Sequence, residues 1–254
     1  KVQTVPWESF INKSGSKYEI ISSKSNYLES VLGTNYILIG PDIHKENGQN
    51  SDFIEDKSLF KSWRETAQAE GLYFRIGYWN IKSKPIVVLV DFSHYFSSKD
   101  EIFAEMWESY KLDSISGNWD YIEPALFGFA ASNVIENYYK YYISSFDKLV
   151  VHFHEWKTGL GILNLKKNVP QAALVFTAHN TVIGNALAYN NTKRETVTNK
   201  FDDELLSKFQ IKALYSLEKI SASISDVFLA VSKTNFDDSI EFLNVKPNLI
   251  AFNG

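Results

Sequence analysis

The sequence predicts an α/β protein with a doubly wound, mainly parallel, Rossmann-like sheet and an added antiparallel hairpin. Short apolar runs alternate with segments whose apolar residues recur every three or four positions, as strands alternate with helices in this fold class. The runs are mostly continuous in apolar residues, which is typical of parallel strands covered on both faces. We expect strands at 4–7, 36–40, 72–79, 86–91, 149–153, 172–177, 227–231 and 249–252.

Helices are predicted where apolar residues form a stripe along one face. One stripe contains Phe127, Ala130, Val134, Tyr138 and Tyr141, and a second contains Leu206, Phe209, Ala213, Leu217, Ile220 and Ile224. Both stripes are expected to pack on the sheet. A further amphipathic stretch lies at 18–32.

The hairpin is predicted from 72–79 and 86–91, because only the polar segment 80–85 separates these two runs. The polar tract 45–57 is interpreted as a surface loop. Since no repeat or low-complexity linker divides the sequence, we expect a single domain over 1–254.

Composition narrows the function classes. The 254 residues are 44% hydrophobic and carry a formal charge of −4, so there is no electrostatic case for nucleic acid or an acidic membrane. The absence of cysteine excludes disulfides, thiolate metal sites and a cysteine nucleophile. No apolar run is long enough to span a bilayer. We expect a cytoplasmic protein that binds a small molecule.

The last residues, 248–254, are interpreted as a strand entering a turn. Because natural chains seldom stop at such a point, we expect the sequence to be a fragment of a longer protein.

Two predicted strands end in polar residues. The run at 149–153 leads into His154, Glu155 and Trp156, and the run at 172–177 leads into His179. Ligands of open α/β sheets bind beyond the carboxyl ends of the strands, so both histidines are expected to line one crevice. His154 is expected at the lip of an open cleft, as a neutral hydrogen-bonding group. A packed histidine is the alternative.

His152 and His154 share one strand face, which would suit zinc, but no third ligand follows at a recognisable spacing, so no metal is expected. The sequence lacks a Walker A loop and a complete dinucleotide fingerprint, and no cofactor is expected. Lys13 and Gly15 lie in a loop at 12–17 that precedes the predicted helix at 18–32. Such a loop either presents N–H groups and a cation to an anion or is an ordinary turn.

Taken in order, these motifs resemble the amino-terminal half of the eukaryotic-type, UDP-glucose-using glycogen synthases. The resemblance covers nearly the whole chain, and its most specific part is His-Phe-His-Glu-Trp at 152–156. The other matching segments are 6–8, 12–15, 36–41, 74–79, 176–179, 226–232, 246–247 and 253–254.

The resemblance implies the amino-terminal domain of a retaining glycosyltransferase with the GT-B fold. The complete enzyme would transfer glucose from UDP-glucose to an α-1,4-glucan, and most of the nucleotide would be bound by a carboxyl-terminal domain that this sequence lacks. Oligomers would be possible in the full-length protein. The chain alone is therefore expected to have negligible activity.

The resemblance also implies roles for single residues. His154 would be catalytic and would point at the transferred glucose, and Lys13 would lie near the donor diphosphate, in the same loop as Gly15. His179 would line the crevice, and Asn253 matches an Asn-Gly at the end of the domain. Glu155 is expected to brace the crevice or to cap the following helix. The sequence departs from the family pattern at Ser16, Ala178, Asn180 and Asn185.

Two alternatives stay open at this point. One is a sugar-nucleotide epimerase or a phosphorylase-like protein on the same scaffold, because a fold does not determine a reaction. The other is a non-catalytic glucan-binding module in which Trp79, Trp156 and other aromatic residues stack on sugars.

Overall fold

A computed structural model of the protein describes residues 2–4, 16–43, 52–194, 197 and 203–252. The strands within these residues form one sheet. They are β1 (Val2–Thr4), β2 (Ile37–Pro41), β3 (Phe53–Glu55), β4 (Phe74–Trp79), β5 (Ile86–Val90), β6 (Val150–His154), β7 (Ala173–Ala178), β8 (Val227–Ala230) and β9 (Leu249–Ile250).

The described helices are α1 (Ser16–Leu32), α2 (Lys61–Ala69), α3 (Lys99–Tyr110), α4 (Trp119–Tyr142), α5 (Gly159–Asn168), α6 (Val182–Tyr189), α7 (Asp203–Lys208), α8 (Lys212–Ile224) and α9 (Lys233–Asp238). Short 3₁₀ segments at Gly33–Asn35, Ser93–Ser98 and Trp156–Thr158 and a π-helical turn at Ser239–Leu243 connect some of them. None of the described helices combines the length and apolarity that crossing a bilayer requires.

The strand order is β3-β4-β5-β2-β1-β6-β7-β8-β9. All pairs from β5 to β9 are parallel, whereas β4 is antiparallel to β5 and β3 is antiparallel to β4. The predicted hairpin is confirmed as β4 and β5. Its second strand also pairs with β2, so the hairpin is joined to the parallel sheet through β5.

Helices cover both faces of this sheet. Leu38 and Val87 face one side, where they pack in a cluster with Ile21 of α1. Their neighbours in β2 and β5 face the other side, against Trp63 of α2 and Val134 of α4. The continuous apolar sequences of β2 and β5 are thus explained by burial on two faces, and the doubly wound α/β prediction is confirmed.

A close helix contact positions the start of α5. A Cβ at Gly161 would lie only 2.6 Å from the Gly128 carbonyl oxygen of α4 and 2.7 Å from the ring of Phe153 in β6. Glycine is therefore required where α5 passes between α4 and β6. This contact holds α5 directly behind the strand that carries the first histidines.

Three local predictions need correction. The stripe at 206–224 is divided into α7 and α8, because the chain takes a left-handed conformation at Gln210 (φ 57°). The predicted loop at 45–57 contains β3, since pairing with β4 satisfies its backbone groups. The first described strand is β1 at Val2–Thr4, which overlaps the predicted 4–7 only at Thr4, and positions 5–7 lie outside the described residues.

Candidate functional site

The candidate site lies where β6 and β7 end. These strands are parallel neighbours, and His154, the last residue of β6, is paired in register with Thr177. Val151 and Phe153 point into the core, so His152 and His154 emerge on the opposite face of the strand. Polar side chains from two strands therefore meet at one edge, as the sequence predicts.

The histidines form a stacked and hydrogen-bonded group. Nδ1 of His154 lies 3.0 Å from Nε2 of His179, and the two ring centroids are 5.3 Å apart. The ring of His152 stacks on His154 at 4.2 Å, and its Nε2 bonds to Oγ1 of Thr177 at 2.7 Å. One of the two nitrogens in the His154–His179 bond donates and the other accepts, so the contact fixes complementary tautomers if both rings are neutral.

The prediction that His154 lies at the lip of an open cleft is wrong. The residue has no exposed surface, and His179 is only 5% exposed. The cause is local, because His152 covers one face of the His154 ring and His179 occupies its Nδ1 edge. A ligand can reach the His154 ring only if its surroundings rearrange.

Glu155 has the most unusual backbone of the site. Its φ of 66° and ψ of 159° fall in a region that side-chain-bearing residues rarely adopt and that costs about 1–3 kcal/mol. Hydrogen bonds hold this conformation, from the Glu155 N–H to the Thr177 carbonyl at 2.8 Å and from the Thr158 N–H to the Glu155 carbonyl at 3.2 Å. Strain maintained in this way is common at functional sites.

The Glu155 side chain braces the second strand end. Its Oε1 accepts a hydrogen bond from the backbone N–H of His179 at 3.2 Å. It makes no capping bond to the 3₁₀ segment that follows it. The bracing interpretation thus agrees with the structure, and the capping interpretation is wrong.

Helix α6 begins directly after His179 and is capped from two sides. Oγ1 of Thr181 accepts from the Gly184 N–H at 3.0 Å, and Oε2 of Glu218 in α8 accepts from the Val182 N–H at 2.9 Å. These bonds satisfy N–H groups that the first turn of a helix leaves without intrahelical partners. They fix the chain that leaves the His179 strand end.

Sequence reasoning missed Glu218. This carboxyl is completely buried, and desolvation raises its pKa well above the usual glutamate value, with further contributions from the charges of Glu155 and Asp238. Its signal was available, because a lone carboxylate follows Leu217 directly in a helix with an apolar stripe. The stripe prediction placed Glu218 outside the buried face, whereas the structure buries α8 on a wider arc that includes Ser221.

Three predicted site residues, Lys13, Gly15 and Asn253, lie outside the described residues. Asn185 is exposed in the first turns of α6. In the part of the chain that the structure describes, no group of three or more His, Cys, Asp or Glu side chains is arranged to hold a metal ion.

The tryptophans proposed as a sugar platform are core residues. Trp79 is 1% exposed, and Trp156 is 7% exposed and lies parallel to Tyr121 with ring centroids 6.2 Å apart. Because sugar stacking needs an accessible ring face, Trp79 and Trp156 do not form such a platform here. The glucan-binding alternative loses the two tryptophans that it named.

The fold and the site define an α/β protein whose candidate functional residues lie at the carboxyl ends of central parallel strands. Comparison with models of known protein families identifies the family to which the chain belongs. The family model described as glycogen synthase matches residues 4–254, and the chain belongs to the glycogen synthase family.

Curated relatives agree with this assignment at low identity. The chain is 26% identical to a glycogen (starch) synthase of Caenorhabditis elegans, over 98% of this chain and 37% of that protein. It is 26% identical to the human liver glycogen (starch) synthase, over 98% of this chain and 35% of that protein. It is 25% identical to glycogen (starch) synthase isoform 2 of Saccharomyces cerevisiae, over 96% of this chain and 36% of that protein. The chain thus spans about a third of the length of these relatives.

Solved structures give weaker matches. The catalytic domain of starch synthase IV from Arabidopsis thaliana, bound to ADP and acarbose, matches with a TM-score of 0.47 and 11% identity, over 99% of this chain and 50% of that one. The amino-terminal domain of Candida albicans trehalose-6-phosphate phosphatase matches with a TM-score of 0.41 and 14% identity, over 93% of this chain and 40% of that one.

Proposed function

We propose that this chain forms one side of the active site of a retaining glucosyltransferase. The enzyme would move glucose from UDP-glucose to the non-reducing end of an α-1,4-glucan. The proposal rests on one observation above all, the joining of two family motifs at adjacent strand ends through the bond between His154 and His179. Family membership over 4–254 supports the same reaction class.

The proposed reaction breaks the bond between C1 of glucose and the diphosphate oxygen, and the electron pair leaves with the diphosphate. The 4-hydroxyl of the acceptor then bonds to C1 on the same face, and its proton passes to the departing phosphate oxygen. The transition state has oxocarbenium character at the sugar and growing negative charge on the leaving group. Catalysis therefore needs fixed dipoles near the sugar and a cation near the diphosphate.

The histidine group is suited to the first of these needs. Neutral imidazoles both donate and accept hydrogen bonds, so His154 can orient sugar hydroxyls while His179 keeps its tautomer fixed. Because His154 is buried, donor binding must be accompanied by movement of the groups that cover it. Lys13 is proposed to supply the positive charge at the diphosphate.

The second side of the site is proposed to come from a carboxyl-terminal nucleotide-binding domain. The proposal is supported by the short coverage of the relatives, of which this chain matches about a third. On this view the chain alone lacks half of the donor site and has negligible turnover. The cytoplasmic location stays a prediction.

The direct test is an assay of the full-length gene product with radiolabelled UDP-glucose and glycogen. We expect label in polymer that α-amylase releases and that contains new α-1,4 bonds by NMR. A parallel assay with ADP-glucose measures nucleotide preference. Release of free glucose, transfer with inversion or absence of transfer with either donor would contradict the proposal.

A further inference from the structure

Glu218 is a buried acid that the proposed chemistry does not use. It belongs to α8, has no exposed surface, and lies behind the ends of β6 and β7. Its Oε2 accepts from the Val182 N–H at 2.9 Å, and its Oε1 is buried with no hydrogen-bond partner among the described residues. An acid in this position either carries a proton or leaves a charge unsolvated.

The surrounding charges favour the protonated form. Burial raises the pKa of Glu218, and the carboxylates of Glu155 and Asp238 raise it further. Arg194 supplies a positive charge beside Asp238. Its Nη2 lies 3.0 Å from Oδ1 of Asp238, and the same guanidinium also pairs with Glu241. These ion pairs are on the Asp238 side. The hydrogen bond from the Val182 N–H acts in the opposite direction and lowers the pKa of Glu218, but burial outweighs it.

The chain from 179 to 182 is therefore held by two buried acids. Glu155 receives the His179 N–H at 3.2 Å, and Glu218 receives the Val182 N–H three residues later. Between these two anchors the chain turns from strand β7 into helix α6. Ionisation of Glu218 would place a second negative charge near Glu155 and would weaken this arrangement.

We propose that Glu218 is a positioning residue, whose neutral carboxyl fixes residues 179–182 and thereby holds His179 against His154. The expected effect of Glu218 on turnover rests on the glucosyl transfer proposed above, whereas its expected effect on the histidine pair does not. Glu218 does not touch the reacting atoms in this arrangement and acts through the Val182 N–H.

Variants at Glu218 distinguish the loss of the acceptor for the Val182 N–H from the loss of the ionisable carboxyl group. Glu218→Gln keeps a neutral carbonyl for the Val182 N–H. Glu218→Leu keeps similar volume but removes the acceptor, and Glu218→Asp keeps the acid but shortens its reach. Glu204→Gln, on the exposed surface of α7, is the matched control for loss of a carboxylate.

The first readout is the side-chain ¹⁵N–¹H spectrum of the histidines, measured on the full-length protein. We expect Glu218→Gln and Glu204→Gln to keep the complementary tautomers of His154 and His179, and Glu218→Leu and Glu218→Asp to lose them. The second readout is steady-state kinetics. Glu218→Leu and Glu218→Asp should lose about tenfold or more in kcat with a change of less than about twofold in KM.

The pH profile distinguishes positioning from simple packing. Activity of the wild type should fall as pH rises through the raised pKa of Glu218, and Glu218→Gln should keep activity to higher pH. If Glu218→Leu does not fold, the comparison of Glu218→Gln with Glu218→Asp tests the proposal. Unchanged histidine tautomers in a folded Glu218→Leu or Glu218→Asp variant would overturn the proposal. So would a loss of activity with rising pH that is the same in Glu218→Gln and the wild type. Histidine signals that respond in an enzyme without transferase activity would support positioning and contradict only the proposed reaction.

Discussion

His154 and His179 share a hydrogen bond of 3.0 Å across the ends of two parallel strands, and the strand register creates this contact. His154 pairs with Thr177, so His179 lies two residues beyond its strand partner, where the chain bends towards α6. A shift of one residue would turn one of the histidines to the other face of the sheet. The strand register therefore determines whether the two histidines can meet.

Replacement of His154 should remove activity without unfolding the protein. We expect His154→Ala in the full-length enzyme to lower kcat by about 100-fold or more, because fixed hydrogen-bonding groups near the reacting sugar contribute at this scale. The measurement is transfer of glucose to glycogen at saturating donor. His94→Ala is the control, because His94 is exposed and lies outside the site. Equal activity of the two variants would contradict the role given to His154.

The backbone strain at Glu155 can be measured directly. Both Glu155→Ala and Glu155→Gly remove the acceptor of the His179 N–H, but only glycine tolerates φ 66° with ψ 159°. We expect the Gly variant to be more stable than the Ala variant by about 1 kcal/mol, after allowance for the greater unfolded entropy of glycine. Urea unfolding of both variants gives the comparison, and an Ala variant that equals or exceeds the Gly variant would argue against strain.

Glu218 should make stability depend on pH with a definite sign. The pKa of Glu218 is raised in the folded protein, so its contribution is fully present below the ordinary glutamate pKa and is lost as pH rises towards the folded value. In that interval the wild type should lose stability relative to Glu218→Gln by up to about 1.4 kcal/mol per pH unit. Groups that do not interact with Glu218 contribute equally to both proteins and cancel in the difference, whereas Glu155 and Asp238 are part of the effect. Parallel denaturation curves at all pH values would show that Glu218 is ionised in the folded state.

The contact between Gly128 and Gly161 should not tolerate a methyl group. Alanine is favoured over glycine in a helix by about 1 kcal/mol, but a Cβ at Gly161 would lie 2.6 Å from a carbonyl oxygen and 2.7 Å from the Phe153 ring. Overpacking of this kind costs about 1–3 kcal/mol or more, so we expect net destabilisation by thermal unfolding. Gln68→Ala on the exposed face of α2 is the control and should change stability little. A Gly161→Ala variant as stable as that control would mean that the helices can separate without cost.

Asn185 offers a gain-of-function test. It is exposed in the first turns of α6, at a position where an arginine is common in the family pattern that this sequence resembles. A cation there would favour a bound diphosphate, so Asn185→Arg should tighten UDP binding by a few-fold at low salt. Isothermal titration of UDP measures the effect, with Asn185→Gln as the uncharged control. Equal gains from both variants would show that charge is not the cause.

Much of the fold was predictable from local sequence. The apolar runs that became β2 and β5 are buried on both faces, and the polar segment 80–85 correctly marked the turn of the hairpin. The helix at 206–224 was mispredicted because periodicity does not register a single left-handed residue, here Gln210. The strand β3 was missed because three residues in a polar tract are stabilised by pairing with β4, which no local pattern reports.

The sequence by itself determined most of the strands, the helices α1 and α4 and the two polar strand ends that contain His154 and His179. Those features follow from residue type and spacing along a few neighbouring positions. Only the tertiary structure decided that His154 is buried, that Glu155 braces the N–H of His179 and that Glu218 is completely buried. These properties depend on residues that are distant in sequence, since His179 lies 25 positions and Glu218 lies 64 positions beyond His154, so no local pattern could contain them.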